Sequence, residues 1–285
     1  MREFTFPGRD GQTITAYRWE PAAAARGIVQ LTHGMGEHVR RYDALAGALT
    51  GEGFLVVGQD HRGHGSTATT LGELGPGGWD ALVDDIGVLA GLTKAEHPGL
   101  PHVLVAHSMG SFAAQQYLLD HSRDVTAVAL TGTSLLDLLE PALEQVDAPL
   151  ELSAFNAPFL PARTDYDWLS RDEEQVDRYV ADPHCGFGID PASTRAMFAG
   201  ARAVADPARL AAMRADLPVY VAVGELDPVG GQTALARLLV DRYRAAGLTD
   251  VTLTVYPGAR HEVFNETNRD EVVAALLAWL ARVSA

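Results

Sequence analysis

Ser108 stands where a serine hydroxyl can act as a nucleophile. The apolar run Val103–Val105 predicts a strand that stops at Ala106-His-Ser-Met-Gly110, and helical spacing from Ser111 to Leu119 follows at once. A serine on such a sharp strand-to-helix turn holds its hydroxyl exposed, and the first N–H groups of the helix point to the same place. The segment therefore suits attack on a carbonyl carbon, although an ordinary strand–turn–helix can share these five letters.

A serine hydroxyl becomes a good nucleophile only when a base takes its proton and a third group orients that base. In a parallel sheet, the loops that follow the strands open on one side. The predicted strand Leu217–Val223 is followed by Asp227, and the predicted strand Val251–Tyr256 is followed by His261. The chain order Ser108, Asp227, His261 therefore predicts a catalytic triad.

Two members of this triad have competitors in the sequence. Glu225 lies two residues before Asp227 and can reach the same region, so it ranks second as the orienting acid. Five other histidines compete with His261, and none of them follows the last predicted strand. They are His33, His38, His61, His64 and His107.

A developing oxyanion needs two hydrogen-bond donors, and backbone N–H groups often supply them. The residue after the nucleophile provides one, which predicts the N–H of Met109. The second is expected from the glycine-containing loop His33-Gly-Met-Gly36, where the backbone can approach closely, and Met35 is the predicted donor.

The elements that position these residues alternate as strand and helix along most of the chain. Continuous apolar strands with intervening helices predict an α/β fold with a mostly parallel, eight-stranded sheet covered by helices on both faces. The alternation stops between residues 134 and 205, a stretch too long for a structureless loop. We interpret 134–205 as an inserted lid, and residues 1–133 and 206–285 as the core.

Composition limits the classes of partner. The chain has 285 residues and a formal net charge of −15, which argues against nucleic acid or an anionic membrane surface as the main partner. The N-terminus has no apolar signal-type region, and no apolar run is long enough to cross a bilayer, so a cytoplasmic protein is expected. The single cysteine, Cys185, excludes an internal disulfide and a cysteine-based zinc site.

Four motifs together resemble the α/β-hydrolase superfamily, and within it the monoacylglycerol lipase and lysophospholipase group of serine hydrolases. They are His33-Gly-Met-Gly-Glu-His38 with Arg41-Tyr42, Asp60-His-Arg-Gly-His-Gly-Ser66, His107-Ser-Met-Gly110, and Gly258-Ala-Arg-His-Glu262. One departure is Ala106. It replaces the first glycine that is usual in the nucleophile elbow, the strand-to-helix turn that carries the serine.

The resemblance implies the α/β-hydrolase fold, a triad of Ser108, Asp227 and His261, and oxyanion donors at Met35 and Met109. It further implies a lid over an apolar acyl tunnel, a small-molecule ester substrate and no metal or cofactor. Transient contact of the lid with a lipid surface is compatible with such a substrate.

Two other functions keep the same fold. A peptidase of the proline-iminopeptidase type would need carboxylates that bind a free amino terminus, and five acids of the predicted lid could supply them. These acids are Asp165, Asp167, Asp172, Glu173 and Glu174. A non-hydrolytic binding protein is disfavoured, because all three triad residues are present.

Overall fold

An eight-stranded sheet forms the centre of the molecule, in a computed structural model that describes residues 1–143 and 147–284. The strands are β1 (Arg2–Pro7), β2 (Thr13–Trp19), β3 (Gly27–Thr32), β4 (Phe54–Gln59), β5 (His102–His107), β6 (Ala127–Thr131), β7 (Val219–Gly224) and β8 (Val251–Tyr256). Their spatial order is β1-β2-β4-β3-β5-β6-β7-β8. The pairs β1–β2 and β2–β4 are antiparallel, and all other neighbours are parallel. The predicted mostly parallel sheet of eight strands is confirmed.

Helices connect the strands. They are α1 (Asp43–Gly51), α2 (Gly78–Glu96), α3 (Met109–His121), α4 (Leu136–Leu143), α5 (Glu173–Ala181), α6 (Pro191–Ala205), α7 (Pro207–Ala212), α8 (Ala234–Ala245) and α9 (Arg269–Val283). Short 3₁₀ helices cover Val39–Tyr42, Gly65–Thr67, Leu152–Phe159, Asp167–Leu169 and Val263–Asn265. Helical spacing in the sequence predicts a helix over Gln232–Ala246. Helix α8 begins two residues later, because Gln232 and Thr233 have positive φ angles of 51° and 76°.

Alternate residues of the central strands pack into separate apolar layers. On β5, Leu104 and Ala106 join the cluster formed with α2, α3 and α8. Val103 and Val105 join the cluster formed with α1 and α9 on the other face. Because both faces are covered by helices, the sheet is buried and its strands are apolar throughout, as the sequence predicts.

In its described residues, the segment between β6 and β7 contains four of the helices, α4, α5, α6 and α7, and two of the 3₁₀ helices. Met197, Phe198 and Ala201 of α6 pack into the same apolar cluster as α2 and α3. In the described parts of the chain, no helix is both long and apolar enough to span a membrane.

Candidate active site

Ser108 lies on the turn between β5 and α3, in a backbone conformation that L-residues rarely adopt. Its φ and ψ angles are 50° and −123°, and its N–H donates a hydrogen bond of 2.9 Å to Thr131 O. Strained backbone of this kind persists only where the surroundings enforce it. A Cβ atom added at Gly110 would lie 2.4 Å from both Thr32 O and His33 O, so only glycine fits there.

Ala106, the departure from the usual elbow sequence, has room for its methyl group. It pairs with Thr32 in the β3–β5 register. It is fully buried in the apolar cluster beneath α2 and α3. The two small positions of the elbow therefore differ: the first contributes a methyl group to the core, while the second lies against backbone oxygens.

Asp227 and His261 lie in the loops that follow β7 and β8, and they form a buried pair. His261 Nδ1 and Asp227 Oδ1 are 2.9 Å apart, and Oδ1 also accepts the N–H of Val229 at 2.9 Å. Burial lowers the pKa of His261, but the charge and hydrogen bond of Asp227 outweigh it, so the pKa lies above its ordinary value. The imidazole is thus oriented by its neighbour and favoured as a proton acceptor.

Ser108 and His261 line the same pocket, which we call the site pocket. Within the described residues, Ser108 Oγ forms no hydrogen bond to His261. Serine–histidine contacts in unliganded enzymes are often long and tighten only when substrate binds.

The competing acid lies elsewhere. Glu225 is exposed, and its Oε2 accepts the N–H of Gly258 at 2.8 Å. Its carboxylate therefore caps a turn, and Asp227 is the acid that contacts His261.

The competing histidines have other partners. His33 accepts the N–H of His61 at Nε2 and contacts Gly34 O through Nδ1. His38 contacts Asp182, and His64 contacts Arg62 O. His107 packs beside His261 with ring centroids 4.7 Å apart, and burial lowers its pKa to about 4.

The N–H groups of Met35 and Met109 have no hydrogen-bond acceptor among the described residues, and both residues line the site pocket. Gly34, the residue before Met35, lies close to the serine: a Cβ atom added at Gly34 would lie 3.1 Å from Ser108 Cβ. Glu37 Oε1 accepts the N–H of Gly34 at 2.6 Å and so holds this loop. Two unpaired donors beside a serine suit a developing oxyanion.

A buried ionic cluster, which the sequence analysis did not predict, joins two of these loops. Arg41 donates to Glu37 at 2.7 Å and to both carboxylate oxygens of Glu262 at 2.5 and 2.8 Å. Burial raises the pKa of Glu262, but Arg41 outweighs this and brings it to about 2. Since Glu262 follows Arg41 by 221 residues, no local pattern reveals the pair.

The segment between β6 and β7 also contacts His261 directly. The Trp168 ring lies 4.9 Å from the His261 ring, centroid to centroid. The backbone oxygens of Trp168 and Leu169 accept the N–H groups of His261 at 3.4 Å and Glu262 at 2.8 Å. The sequence does not reveal these contacts either, because an aromatic residue inside an irregular segment carries no signal of its partner.

The walls of the site pocket are mainly apolar. Its lining includes Leu136, Leu139, Leu150, Leu152, Phe155, Phe198 and Val229. None of the five acids considered for binding an amino terminus lines it. The acids that do, Glu37 and Glu262, are both paired with Arg41.

One group of side chains in the described residues has donor atoms close enough for a metal ion. His38, Asp182 and Cys185 place one such atom each within 4.8 Å of the others. The imidazole and the carboxylate are already paired at 2.9 Å, and burial raises the pKa of the thiol. The group therefore favours a structural contact over a metal centre.

Comparison with known proteins agrees with this geometry. Residues 23–268 match the family described as "Serine aminopeptidase, S33". A monoacylglycerol lipase of Mycolicibacterium smegmatis is 35% identical, and the match covers 98% of this chain and 96% of the relative's sequence. The mouse (Mus musculus) monoglyceride lipase is 29% identical, over 90% and 82% respectively.

Solved structures agree as well. A thermostable carboxyl esterase of Bacillus coagulans, solved with glycerol, superposes with a TM-score of 0.90 at 27% identity, covering 100% of this chain and 99% of its own. The chain therefore belongs to the α/β-hydrolase superfamily, in the family described as serine aminopeptidase S33, where it groups with ester hydrolases.

Proposed function

We propose that this protein is a serine carboxylic-ester hydrolase of the monoacylglycerol lipase type that works through an acyl-enzyme on Ser108. One observation carries the proposal. A strained serine and a histidine held by a buried aspartate line one apolar pocket, together with two unpaired backbone donors.

The reaction follows from the positions of these groups. Ser108 Oγ attacks the ester carbonyl as its proton passes to His261 Nε2, and Asp227 stabilises the imidazolium. The N–H groups of Met35 and Met109 bind the oxyanion. The leaving alcohol takes the proton from His261, and a water molecule then gives a proton to His261 and attacks the acyl-enzyme. Its collapse releases the carboxylic acid and returns the proton to Ser108.

The substrate class follows from the pocket walls and the relatives. An apolar pocket favours an apolar acyl chain, since each buried methylene contributes about 0.8 kcal/mol. The names of the M. smegmatis and mouse relatives indicate monoacylglycerols as the natural esters to test.

We assign residues 134–205 the role of a lid that covers the site pocket and touches lipid surfaces transiently. Among the described residues of this segment, three large apolar side chains are exposed: Leu138, Leu160 and Val180 are 49%, 71% and 52% accessible. Leu160→Asp should weaken co-sedimentation with phosphatidylcholine vesicles. Leu238→Asp, at an exposed leucine of α8 that is 48% accessible, should not. Equal loss in both variants would rule out a specific role of the lid.

Amide hydrolysis at a free amino terminus is the alternative, and the family description favours it. Such a site needs an unpaired carboxylate for the ammonium group. Glu37 and Glu262 line the pocket, but Arg41 already neutralises them. The ester hydrolase therefore fits the pocket better.

The deciding experiment compares p-nitrophenyl acyl esters and monoacylglycerols with aminoacyl p-nitroanilides. We expect turnover of the esters, labelling by a fluorophosphonate probe, and loss of both in Ser108→Ala. Preference for the anilides would support the aminopeptidase. Labelling that persists in Ser108→Ala would show that another residue is the nucleophile.

A further inference from the structure

A second, smaller cavity adjoins the site pocket, and we call it the rear cavity. It is narrow, with room for about one water molecule. Phe112, Leu136 and Met197 line both spaces, so these three side chains form the partition between them. Leu136 and Met197 are 6% and 3% exposed.

The rear cavity follows the groove between α3 and α6. On α6, Met197, Ala201 and Val204 line it at intervals of four and three residues, which places them on one face of the helix. On α3, Phe112 and Gln115 contribute from the facing stripe. Ala201 lies one helical turn beyond Met197, and its small side chain lines the rear cavity but not the site pocket.

The polar groups around the rear cavity are largely paired with the protein. Gln115 Nε2 donates to Thr133 Oγ1 at 2.9 Å, and both carboxylate oxygens of Asp137 accept from Arg242 at 2.8 Å. The Ser134 hydroxyl is buried without a partner. An alkyl chain that entered this space after a side chain of the partition was shortened would therefore break none of these bonds.

Methionine suits a partition of this kind because it is unbranched and its side chain adapts to irregular spaces. We propose that Met197 limits the acyl chain to the site pocket and so determines the longest acyl group that is cleaved efficiently, with the rear cavity as the space it closes off. This inference rests on the proposed ester hydrolysis.

The test is the acyl-length profile of kcat/KM for p-nitrophenyl esters from four to sixteen carbons. For the wild type, kcat/KM should fall once the acyl chain exceeds a certain length. In Met197→Ala that fall should move about two carbons longer, and kcat/KM for the first disfavoured ester should rise about tenfold. The milder Met197→Val creates a smaller cavity and should move the fall in kcat/KM in the same direction.

Two controls separate the partition from general loosening of the core. Met213→Ala removes the same atoms from a buried methionine of the same apolar cluster that lines neither space, so its profile should match the wild type. Adding Ala201→Leu to Met197→Ala refills the rear cavity and should return the profile to that of the wild type.

The inference would be overturned if active Met197→Ala and Met197→Val enzymes kept the wild-type profile, or if Met213→Ala shifted it equally. A wild-type protein that hydrolyses no ester of any length would instead overturn the proposed function.

Discussion

Ser108 carries two demands that are usually in conflict. As the proposed nucleophile, it needs a side chain exposed to substrate, while its backbone is held at a φ of 50°, where a Cβ atom is strained. The residue is kept there by Gly110, which fits between backbone oxygens, and by its own hydrogen bond to Thr131. Strain of about 1–3 kcal/mol is typical for such a residue.

This strain predicts an order of stability for two inactive variants. Ser108→Gly should be more stable than Ser108→Ala by about 1 kcal/mol, because glycine adopts a positive φ without a steric penalty. Urea unfolding measures the difference. At Asp84, within helix α2, the order should reverse, with Asp84→Ala more stable than Asp84→Gly by a similar amount. The same order at both positions would contradict strain at Ser108.

In the proposed mechanism His261 is the base, and the pH dependence of the reaction depends on the pair Asp227–His261. The base must be neutral, and its pKa lies above the ordinary value of 6.5, so kcat/KM should fall with decreasing pH around a midpoint above 6.5. In Asp227→Asn, burial remains while the raising charge is lost. The midpoint should then move to lower pH and kcat should drop by about 10⁴-fold.

Measured pH profiles of kcat/KM test this directly. Glu225→Gln changes the neighbouring acid, whose carboxylate contacts Gly258, and should leave the midpoint unchanged. A shift in Glu225→Gln without one in Asp227→Asn would make Glu225 the orienting acid.

Among the elements, two loops from opposite ends of the sequence are joined through one guanidinium. Arg41 follows β3, in the 3₁₀ helix Val39–Tyr42, and binds Glu37 of the same loop and Glu262 beyond β8. Glu37 holds Gly34, and Glu262 adjoins His261. The cluster therefore keeps the candidate donor loop and the candidate base loop in fixed relation.

Removing the cation should be costly because it leaves two buried carboxylates unpaired. We expect Arg41→Met to lower the free energy of unfolding by about 3–5 kcal/mol. Arg282→Met, which breaks a partly exposed pair with Asp250, should cost about 1 kcal/mol or less. Denaturant unfolding at pH 7 measures both. A loss below 1 kcal/mol in Arg41→Met would show that the cluster contributes little.

For the whole molecule, buried neutral histidines connect folding to acid pH. Burial lowers the pKa to about 3 at His61, to about 4 at His64, His102 and His107, and well below 6.5 at His33. Between pH 6.5 and 4 the unfolded chain binds protons at these positions and the folded chain does not. Stability therefore falls as pH decreases through this range.

His102 allows this effect to be measured away from the candidate site. It is 1% exposed at the start of β5, and both ring nitrogens are buried without partners. In His102→Leu, the slope of unfolding free energy against pH between 6 and 5 should decrease by about 1.4 kcal/mol per pH unit, the contribution of one proton. Unfolding at several pH values gives the slope. An unchanged slope would show that the protons taken up on unfolding bind to groups other than His102.

The sequence by itself determined the features that depend on local pattern. Apolar runs and helical spacing predict the eight strands and the turn at Ser108, and the carboxyl ends of parallel strands place Asp227 and His261 at one sheet edge. The positive φ of Gln232 and Thr233 shows where local spacing misplaced a helix start.

Only the tertiary structure decided which groups touch. It pairs His261 with Asp227 and turns Glu225 toward Gly258. It also joins Arg41 to Glu262 and places Trp168 on the imidazole. These contacts join residues far apart in the chain, and their formation depends on how loops pack, which no periodicity encodes. The site pocket also depends on this packing, because a cavity is the space that packed side chains leave unfilled.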